Sequence, residues 1–207
     1  MLESFEIEGG ILRRYRGDEA HVVIPAGVTR IGESAFEGCE ALASVDIPGS
    51  VTEIGGEAFR CCHALASVSI PEGVARIGEA AFAGCWSLAS VDIPSSVTEI
   101  GDGAFRCCNT LASAAIPDGV TEIGSETFSG CDALASVSIP ESVTRIGDWA
   151  FDSCYALASV FVPESVIAIG ENAFGFPPLT VACSEDSYAH RYCKYRDIPT
   201  KPKLIWP

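Results

Sequence analysis

Basic residues are scarce through most of this chain, and the scarcity limits what it can bind. Residues 17–186 hold 24 of the 28 acidic residues but only five arginines and no lysine. The formal net charge of the whole chain is −15. A surface of this sign repels nucleic acids and anionic membrane surfaces, and it attracts basic partners. We therefore expect no nucleic-acid partner.

Long apolar runs and targeting signals are also lacking. No apolar segment approaches the ~20 residues that a membrane-spanning helix needs, so membrane insertion is not expected. The first residues, Met1 to Glu6, are acidic and lack the positive start and apolar stretch of a secretory signal. The expectation is that the protein stays inside the cell, unless an export signal is absent from this sequence.

The residues that most catalytic and metal sites require are few. The chain has three histidines, which fall far apart in the sequence at His21, His63 and His190. The run Cys61, Cys62, His63 suggests a metal, but zinc needs several convergent ligands and no Cys-x-x-Cys or paired-His motif accompanies it. Phosphate-binding glycine loops are absent as well. The sequence predicts no enzyme, no cofactor and no metal site.

What the chain does have is one phrase repeated every 23 residues without insertion. The phrase is Ile-Pro-x-x-Val-x-x-Ile-Gly-x-x-Ala-Phe-x-x-Cys-x-x-Leu-Ala-Ser-Val. Its first two residues recur at Ile24-Pro25, Ile47-Pro48, Ile70-Pro71, Ile93-Pro94, Ile116-Pro117, Ile139-Pro140 and Val162-Pro163. A fixed period in this range is typical of a solenoid, in which each repeat is one coil and buries its apolar face against the next.

Within one coil, the pattern predicts two short strands and a third, turning segment. The alternation from Leu42 to Ile47 indicates a strand, which Pro48 ends because proline cannot donate to a ladder. A second extended piece ends at Ile54. The apolar spacing from Glu57 to Cys62 then predicts a helical or 3₁₀ turn.

Stacking such coils places equivalent residues in columns. One column is a predicted aromatic spine of Phe36, Phe59, Phe82, Phe105, Phe128, Phe151 and Phe174. Another is a column of charges at Arg30, Glu53, Arg76, Glu99, Glu122 and Arg145. Its signs alternate at every step except Glu99 to Glu122, and we interpret it as a structural feature that sets register.

Six of the ten cysteines also share one column: Cys39, Cys62, Cys85, Cys108, Cys131 and Cys154. A small buried hydrophobe suits that position, so reduced buried thiols are expected. Because stacked coils bring ladder cysteines near bonding range, the disulfide alternative stays open.

Both ends depart from the repeat and are predicted to be caps. Residues 1–23 are assigned to an N-terminal hairpin cap that turns at Gly9-Gly10, residues 24–179 to seven repeats, and residues 180–207 to a C-terminal cap. In the C-terminal region Pro177 replaces the expected cysteine. A last strand is predicted from Thr180 to Cys183, and an amphipathic helix from Ser187 to Tyr195.

Differences between the copies are where a solenoid can carry information. The position after the ladder cysteine varies most, and we select His63, Trp86 and Tyr155 there as candidate binding residues. The alternative is that Trp86 and Tyr155 only cover a gap beside the cysteine ladder. The outward strand positions supply the other candidates: Ser44, Asp46, Ser67, Ser69, Ser90, Asp92, Ser113, Ser136, Ser138, Ser159 and Phe161. The alternative for these serines is that they simply suit a crowded exposed strand.

A longer period of 46 residues joins alternate coils. The run Phe-Arg-Cys-Cys occurs from Phe59 to Cys62 and again from Phe105 to Cys108. We interpret it as a duplication.

The repeated phrase, Ile-Pro-x-x-Val-x-x-Ile-Gly-x-x-Ala-Phe-x-x-Cys-x-x-Leu, resembles the BspA-type leucine-rich repeat from residue 22 to about residue 176. The resemblance implies a β-rich, right-handed superhelical solenoid. Parallel strands would line its concave face, with short second strands and short helical or 3₁₀ turns on the other side. Such proteins are bacterial and non-enzymatic, and many act at the cell surface in adhesion and protein binding.

The first functional hypothesis is a monomeric interaction module that binds a protein or glycan partner on its concave or edge surface. The alternative is a structural spacer with no ligand of its own. A third hypothesis, redox sensing through Cys61 and Cys107, requires exposed and acidic thiols.

Overall fold

The structure is a computed structural model that describes residues 4–175 and 179–202. The chain forms a parallel β-solenoid of about eight turns, which confirms the predicted fold class. In chain order the strands are β1 (Phe5–Glu8), β2 (Ile11–Tyr15), β3 (His21–Val23), β4 (Arg30–Ile31), β5 (Ser44–Asp46), β6 (Glu53–Ile54), β7 (Ser67–Ser69), β8 (Arg76–Ile77), β9 (Ser90–Asp92), β10 (Glu99–Ile100), β11 (Ser113–Ala115), β12 (Glu122–Ile123), β13 (Ser136–Ser138), β14 (Arg145–Ile146), β15 (Ser159–Phe161), β16 (Ala168–Ile169), β17 (Thr180–Cys183) and β18 (Thr200–Pro202). The helix α1 (Tyr188–Tyr195) precedes β18.

Each coil has three sides. The strand face is built by the longer strands, as in the sheet β3-β5-β7-β9. The short-strand face is built by the two-residue strands, which extend the N-terminal hairpin in the order β1-β2-β4-β6-β8-β10. Residues pair in register with those one repeat away, so that Ser44 opposes Ser67 and Ile54 opposes Ile77.

The third side, the turn face, consists of consecutive single turns closed by hydrogen bonds between residues three apart, as in the predicted 3₁₀ turn, but these turns do not join into a helix. In the second coil the N–H groups of Phe59 and Cys61 donate to the carbonyl oxygens of Ala81 and Ala83 in the next coil, at 2.7 and 2.8 Å. Only the alternate N–H groups bond within the coil, such as that of Cys62 to the Phe59 carbonyl at 3.2 Å. Because every second donor is committed to the neighbouring coil, a helix cannot form.

The predicted aromatic spine is confirmed. Consecutive rings from Phe36 to Phe174 stack with centroids 5.0 to 5.8 Å apart and interplanar angles of at most 9°. Tyr15 continues the stack at the N-terminal end, and Tyr192 closes it edge-on at the C-terminal end. The spine forms one continuous interior with the buried Val, Ile and Leu columns.

The ladder cysteines are free thiols packed beside the spine, as expected. Cys39 at the N-terminal end is half-buried, and the other five are buried. Each of those five donates its S–H to the carbonyl of the spine phenylalanine 26 residues earlier, for example Cys85 to Phe59 at 3.1 Å. Burial raises the pKa of Cys85 to about 12, so the neutral thiol is the packed form.

Strands and a helix close the two ends. β1 and β2 pair antiparallel around Gly9 and Gly10, which adopt φ values of +57° and +79°. At the other end β17 pairs with β15, and α1 follows with Ser187 as its N-cap. β18 adds a further parallel strand beside β17, which the sequence did not predict.

The boundaries at 23/24 and 179/180 remain a proposal. The expected replacement at Pro177 lies outside the described residues.

Strand pairing stops on both the strand face and the short-strand face along one line that we call the seam, between residues 90–100 and residues 113–123; on the strand face alone it stops a second time, between β13 and β15. β9 does not pair with β11, nor β10 with β12, within the described residues. The N–H of Gly101 reaches the Ile77 carbonyl at 2.9 Å, but Gly124 has no such bond to Ile100. The turn face continues past the seam, since Phe105 N–H donates to the Thr127 carbonyl at 3.0 Å.

Candidate functional site

The strand face brings together all eleven candidate residues that the sequence placed on outward strand positions. Most of them are exposed, and Ser44, Ser159 and Phe161 are half-buried. Behind them the inward residues of the same strands, such as Val68, are buried against the core. Backbone pairing within the sheet β3-β5-β7-β9, and again between β11 and β13, therefore holds these small polar groups in two columns.

The N-terminal end of this face includes a residue that the sequence assigned only to the cap. His21 Nδ1 lies 2.8 Å from Ser44 Oγ, and its Nε2 lies 3.6 Å from an Asp46 carboxylate oxygen. His21 occupies the same column as the serines, one repeat before Ser44. The repeat period could have identified it.

Near the C-terminal end, the face contains a shallow depression of about 380 Å³. Its floor includes Ala114 and Ala115, where other coils carry a valine and, mostly, a polar residue. Phe161 forms one wall, and Ser113, Ser136 and Ser138 also line it. The missing side-chain volume beside an aromatic ring creates a place where a partner side chain can fit.

The variable column after the ladder cysteines lies along an edge of the solenoid. His63 and Trp86 stack there with ring centroids 3.9 Å apart, and His63 Nδ1 lies 3.9 Å from a Glu40 oxygen. Trp86 is 52% exposed and Tyr155 is 58% exposed. The structure thus joins His63 to Trp86. Tyr155 stands three coils further along, about 14 Å at the usual strand spacing.

A notch on the turn face was not predicted. It has a volume of about 500 Å³ and runs across four coils. Its lining consists of Glu57, Arg60, Cys61, Glu79, Ala80, Ala83, Gly84, Trp86, Asp102, Gly103, Arg106, Cys107, Ser125 and Glu126. The signal for it was present in the 46-residue period, because Arg60 and Arg106 flank a coil that has Ala83 in the same position.

The half-buried thiols of Cys61 and Cys107 both line this notch. Each lies against a glycine of the next coil: a β-carbon at Gly84 would lie 3.4 Å from Cys61 Sγ, and one at Gly130 would lie 3.2 Å from Cys107 Sγ. These are the cysteines of the redox hypothesis, which remains a prediction.

Comparison with known families identifies the repeat. A family model described as a BspA type leucine rich repeat region, in six copies, matches residues 18–131 and 98–182. The chain belongs to the BspA-type leucine-rich repeat family. The resemblance inferred from the repeated phrase is therefore confirmed.

Solved structures of other leucine-rich repeat proteins share the fold. A leucine rich cell surface protein from Faecalibacterium prausnitzii A2-165 is 36% identical, with a TM-score of 0.78 over 89% of this chain and 53% of its own. A leucine rich repeat protein from T. pallidum is 30% identical, with a TM-score of 0.80 over 99% of this chain and 98% of its own. The chain thus spans about half of the first protein and nearly all of the second. No curated protein matches significantly.

The described part of this BspA-type chain has neither a cluster of metal ligands nor a membrane-spanning helix. Residues 4–175 and 179–202 contain no group of three or more His, Cys, Asp or Glu side chains placed to hold a metal ion. Within the same residues, no helix has the length and apolar character to cross a bilayer.

Proposed function

We propose that this chain is a non-enzymatic interaction module that binds a protein or glycan through its strand face and the adjoining edge. The observation that carries the proposal is the strand face itself. Its polar groups stand on a fully packed interior, and strand pairing also fixes the backbone from β3 to β9. A rigid surface loses little conformational entropy when a partner binds.

Aromatic residues at two places supply the anchors. Phe161 borders the depression on the strand face, while Trp86 and Tyr155 project from the edge. Large aromatic side chains on rigid surfaces are enriched among residues that dominate binding energy. The serines and aspartates around them offer hydrogen bonds to a polar partner.

The module is proposed to act as a monomer at the cell surface. Support for this location comes from the family and from the 36% identical structure, which is described as a cell surface protein. Surface biotinylation of cells from the native source tests the location, and analytical ultracentrifugation tests the monomer.

Affinity capture from those cells tests the binding function. We expect a partner to be retained specifically. The affinity of the chain for this partner should fall at least about 30-fold when Trp86, Tyr155 and Phe161 are all changed to alanine. The matched control is Ile167→Ala, which removes an exposed apolar side chain outside both surfaces (68% exposed). Circular dichroism establishes that each variant is folded.

A structural spacer would behave differently. In that case capture would retain nothing specifically, or the triple variant would retain the same proteins as the parent. Either result would refute the proposed module.

A further inference from the structure

The turn-face notch owes its shape to the alternation of large and small residues between coils. Arg60 in one coil and Arg106 two coils later occupy equivalent positions, and Ala83 stands between them. Ala80 and Gly103 similarly separate Glu57 from Glu126. Small side chains thus form the floor, and charged side chains form the rim.

The two arginines of the rim are already engaged. Arg60 Nη1 lies 3.2 Å from Glu37 and 3.4 Å from Glu57. Arg106 Nη1 lies 2.9 Å from Glu126. With four carboxylates and two guanidinium groups in the lining, the notch keeps a net negative charge.

Two carboxylates are left to receive a cation. The exposed Glu79 carboxylate has no hydrogen-bond or ion-pair partner among the described residues. Asp102 accepts one hydrogen bond, from the N–H of Ser125 at 2.8 Å, and retains capacity for another. Both groups line the same notch.

Trp86 completes the arrangement at one side of the notch. Its ring stacks against His63 with an interplanar angle of 11°, which fixes its orientation. It nevertheless remains 52% exposed. A cation over the face of the Trp86 ring opposite His63 would be attracted by the ring quadrupole.

We propose that the notch binds a basic side chain, lysine or arginine, of a partner protein. The cation contacts the Trp86 ring and pairs with Glu79 and Asp102, while its aliphatic stem lies on Ala80 and Ala83. This inference rests on the proposed function and adds that the partner anchors itself with a positively charged side chain. The acidic body of the solenoid would steer such a partner towards the notch.

The test uses the intact chain and short capped peptides. Acetyl-Gly-Arg-Gly-amide is titrated against ¹⁵N-labelled protein, and its citrulline analogue serves as the uncharged isostere. The indole N–H signal of Trp86, assigned with Trp86→Phe, reports binding. We expect saturation with the arginine peptide at a millimolar dissociation constant and at least about tenfold weaker binding of the citrulline peptide.

Variants separate the named contacts from a general effect of charge. Glu79→Gln should weaken the binding of the arginine peptide about threefold, because one ion pair of an exposed cation is lost. Glu72→Gln, which removes an exposed carboxylate outside the notch, should leave it unchanged. Alkylation of Cys61 and Cys107 by iodoacetamide should slow in the presence of the peptide, since both thiols line the notch.

The inference is overturned if the arginine and citrulline peptides bind equally, if an acetyl-Gly-Asp-Gly-amide peptide binds better, or if no peptide shifts the Trp86 signal. Because the peptides need no natural partner, these outcomes are distinct from those of the capture experiment. Peptide binding without any captured partner would refute the proposed function and leave the notch as a cation site.

Discussion

The strands of the short-strand face from β4 to β10 and the seam that follows them are built from the same repeat, but among the described residues the strands pair before the seam and not across it. On the short-strand face before the seam, opposite charges face each other: Arg30 lies 3.1 Å from Glu53, and Arg76 lies 3.8 Å from Glu53 and 3.2 Å from Glu99. At the seam Glu99 meets Glu122, and strand pairing is absent there. Like charges on neighbouring strands destabilise their pairing.

The strand face loses its pairing along the same line and again between β13 and β15. At the seam Ala114 occupies the position that is a valine in the neighbouring coils, but Val137 and Val160 hold this position in β13 and β15, which do not pair either within the described part of the chain. The aromatic spine, the cysteine ladder and the turn face run on without interruption. The coils on the two sides of the seam are therefore connected by these three columns and by the hydrogen bond from the Ala112 N–H to the Ala89 carbonyl oxygen at 3.2 Å.

Alkaline pH should lower the free energy of unfolding more than the other changes, because it ionises the cysteine ladder, which runs through both regions. Burial raises the pKa of Cys154 to about 12, and the pKa values of Cys108 and Cys131 lie well above the usual range for the same reason. In the unfolded chain these thiols ionise near pH 9. Stability is therefore fully present below that pH and is lost as pH rises towards the folded-state pKa, by up to about 1.4 kcal/mol per thiol per pH unit.

Urea denaturation under reducing conditions from pH 7 to pH 11 measures this loss. The double variant Cys108→Ala, Cys131→Ala provides the control. It should be less stable at pH 7 but lose stability less steeply above pH 9. An unchanged slope would contradict the explanation.

Removing the spine ring at the seam should have the next largest effect. Phe105 stacks on Phe82 at 5.5 Å and, across the seam, on Phe128 at 5.6 Å. Phe105→Ala should lower the free energy of unfolding by about 3–5 kcal/mol, because the cavity cannot collapse from both sides. Phe59→Ala, in the paired region, should cost a similar amount.

The two variants should differ in cooperativity. With the spine broken where strands do not pair, Phe105→Ala should unfold in two steps, and Phe59→Ala in one. Urea titrations followed by circular dichroism and by hydrogen exchange measure this. A single, coincident transition for both variants would show that the seam does not weaken the coupling.

Exchanging two charges should have the smallest effect. The double variant Glu122→Arg, Arg145→Glu makes the signs alternate throughout the column without changing the net charge. We expect an increase in stability of about 0.2–1 kcal/mol and slower hydrogen exchange at Gly124. The gain should shrink in high salt, since exposed charges are screened.

The mirror control is Glu53→Arg with Arg76→Glu, which introduces like pairs into the alternating region. It should destabilise by a similar amount. If both exchanges leave stability unchanged, Glu99 and Glu122 do not account for the seam.

The sequence could predict the columns because each partner lies one fixed period away. Stacking of Phe36 on Phe59 follows from their 23-residue separation. Register and the buried state of Cys62 follow in the same way. The like charges at Glu99 and Glu122 were visible in the sequence too, although their effect on strand pairing was not.

Other features depended on contacts that the period does not determine. The turn from Glu57 to Cys62 has a spacing that also fits a helix, and the competing acceptors, such as the Ala81 carbonyl, lie 22 residues away. His63 and Trp86 could be selected from the sequence because their position varies between copies. Glu79 could not, because an exposed glutamate in an acidic chain carries no distinguishing signal.

One position on the turn face has a wider consequence. At this position each coil holds a residue in the left-handed backbone region, with φ between 48° and 61°: Ser34, Glu57, Ala80, Gly103, Glu126, Trp149 and Asn172. A second left-handed position lies four residues later, at Gly38, Cys61, Gly84, Cys107, Gly130 and Ser153. A residue other than glycine costs a conformational penalty at the first of these positions, smallest for asparagine and aspartate, and residues as different as serine, glutamate and tryptophan occupy it. Side chains at this position can therefore be exchanged while the backbone conformation of the coil is kept. New binding specificities can be engineered there with the least risk to folding.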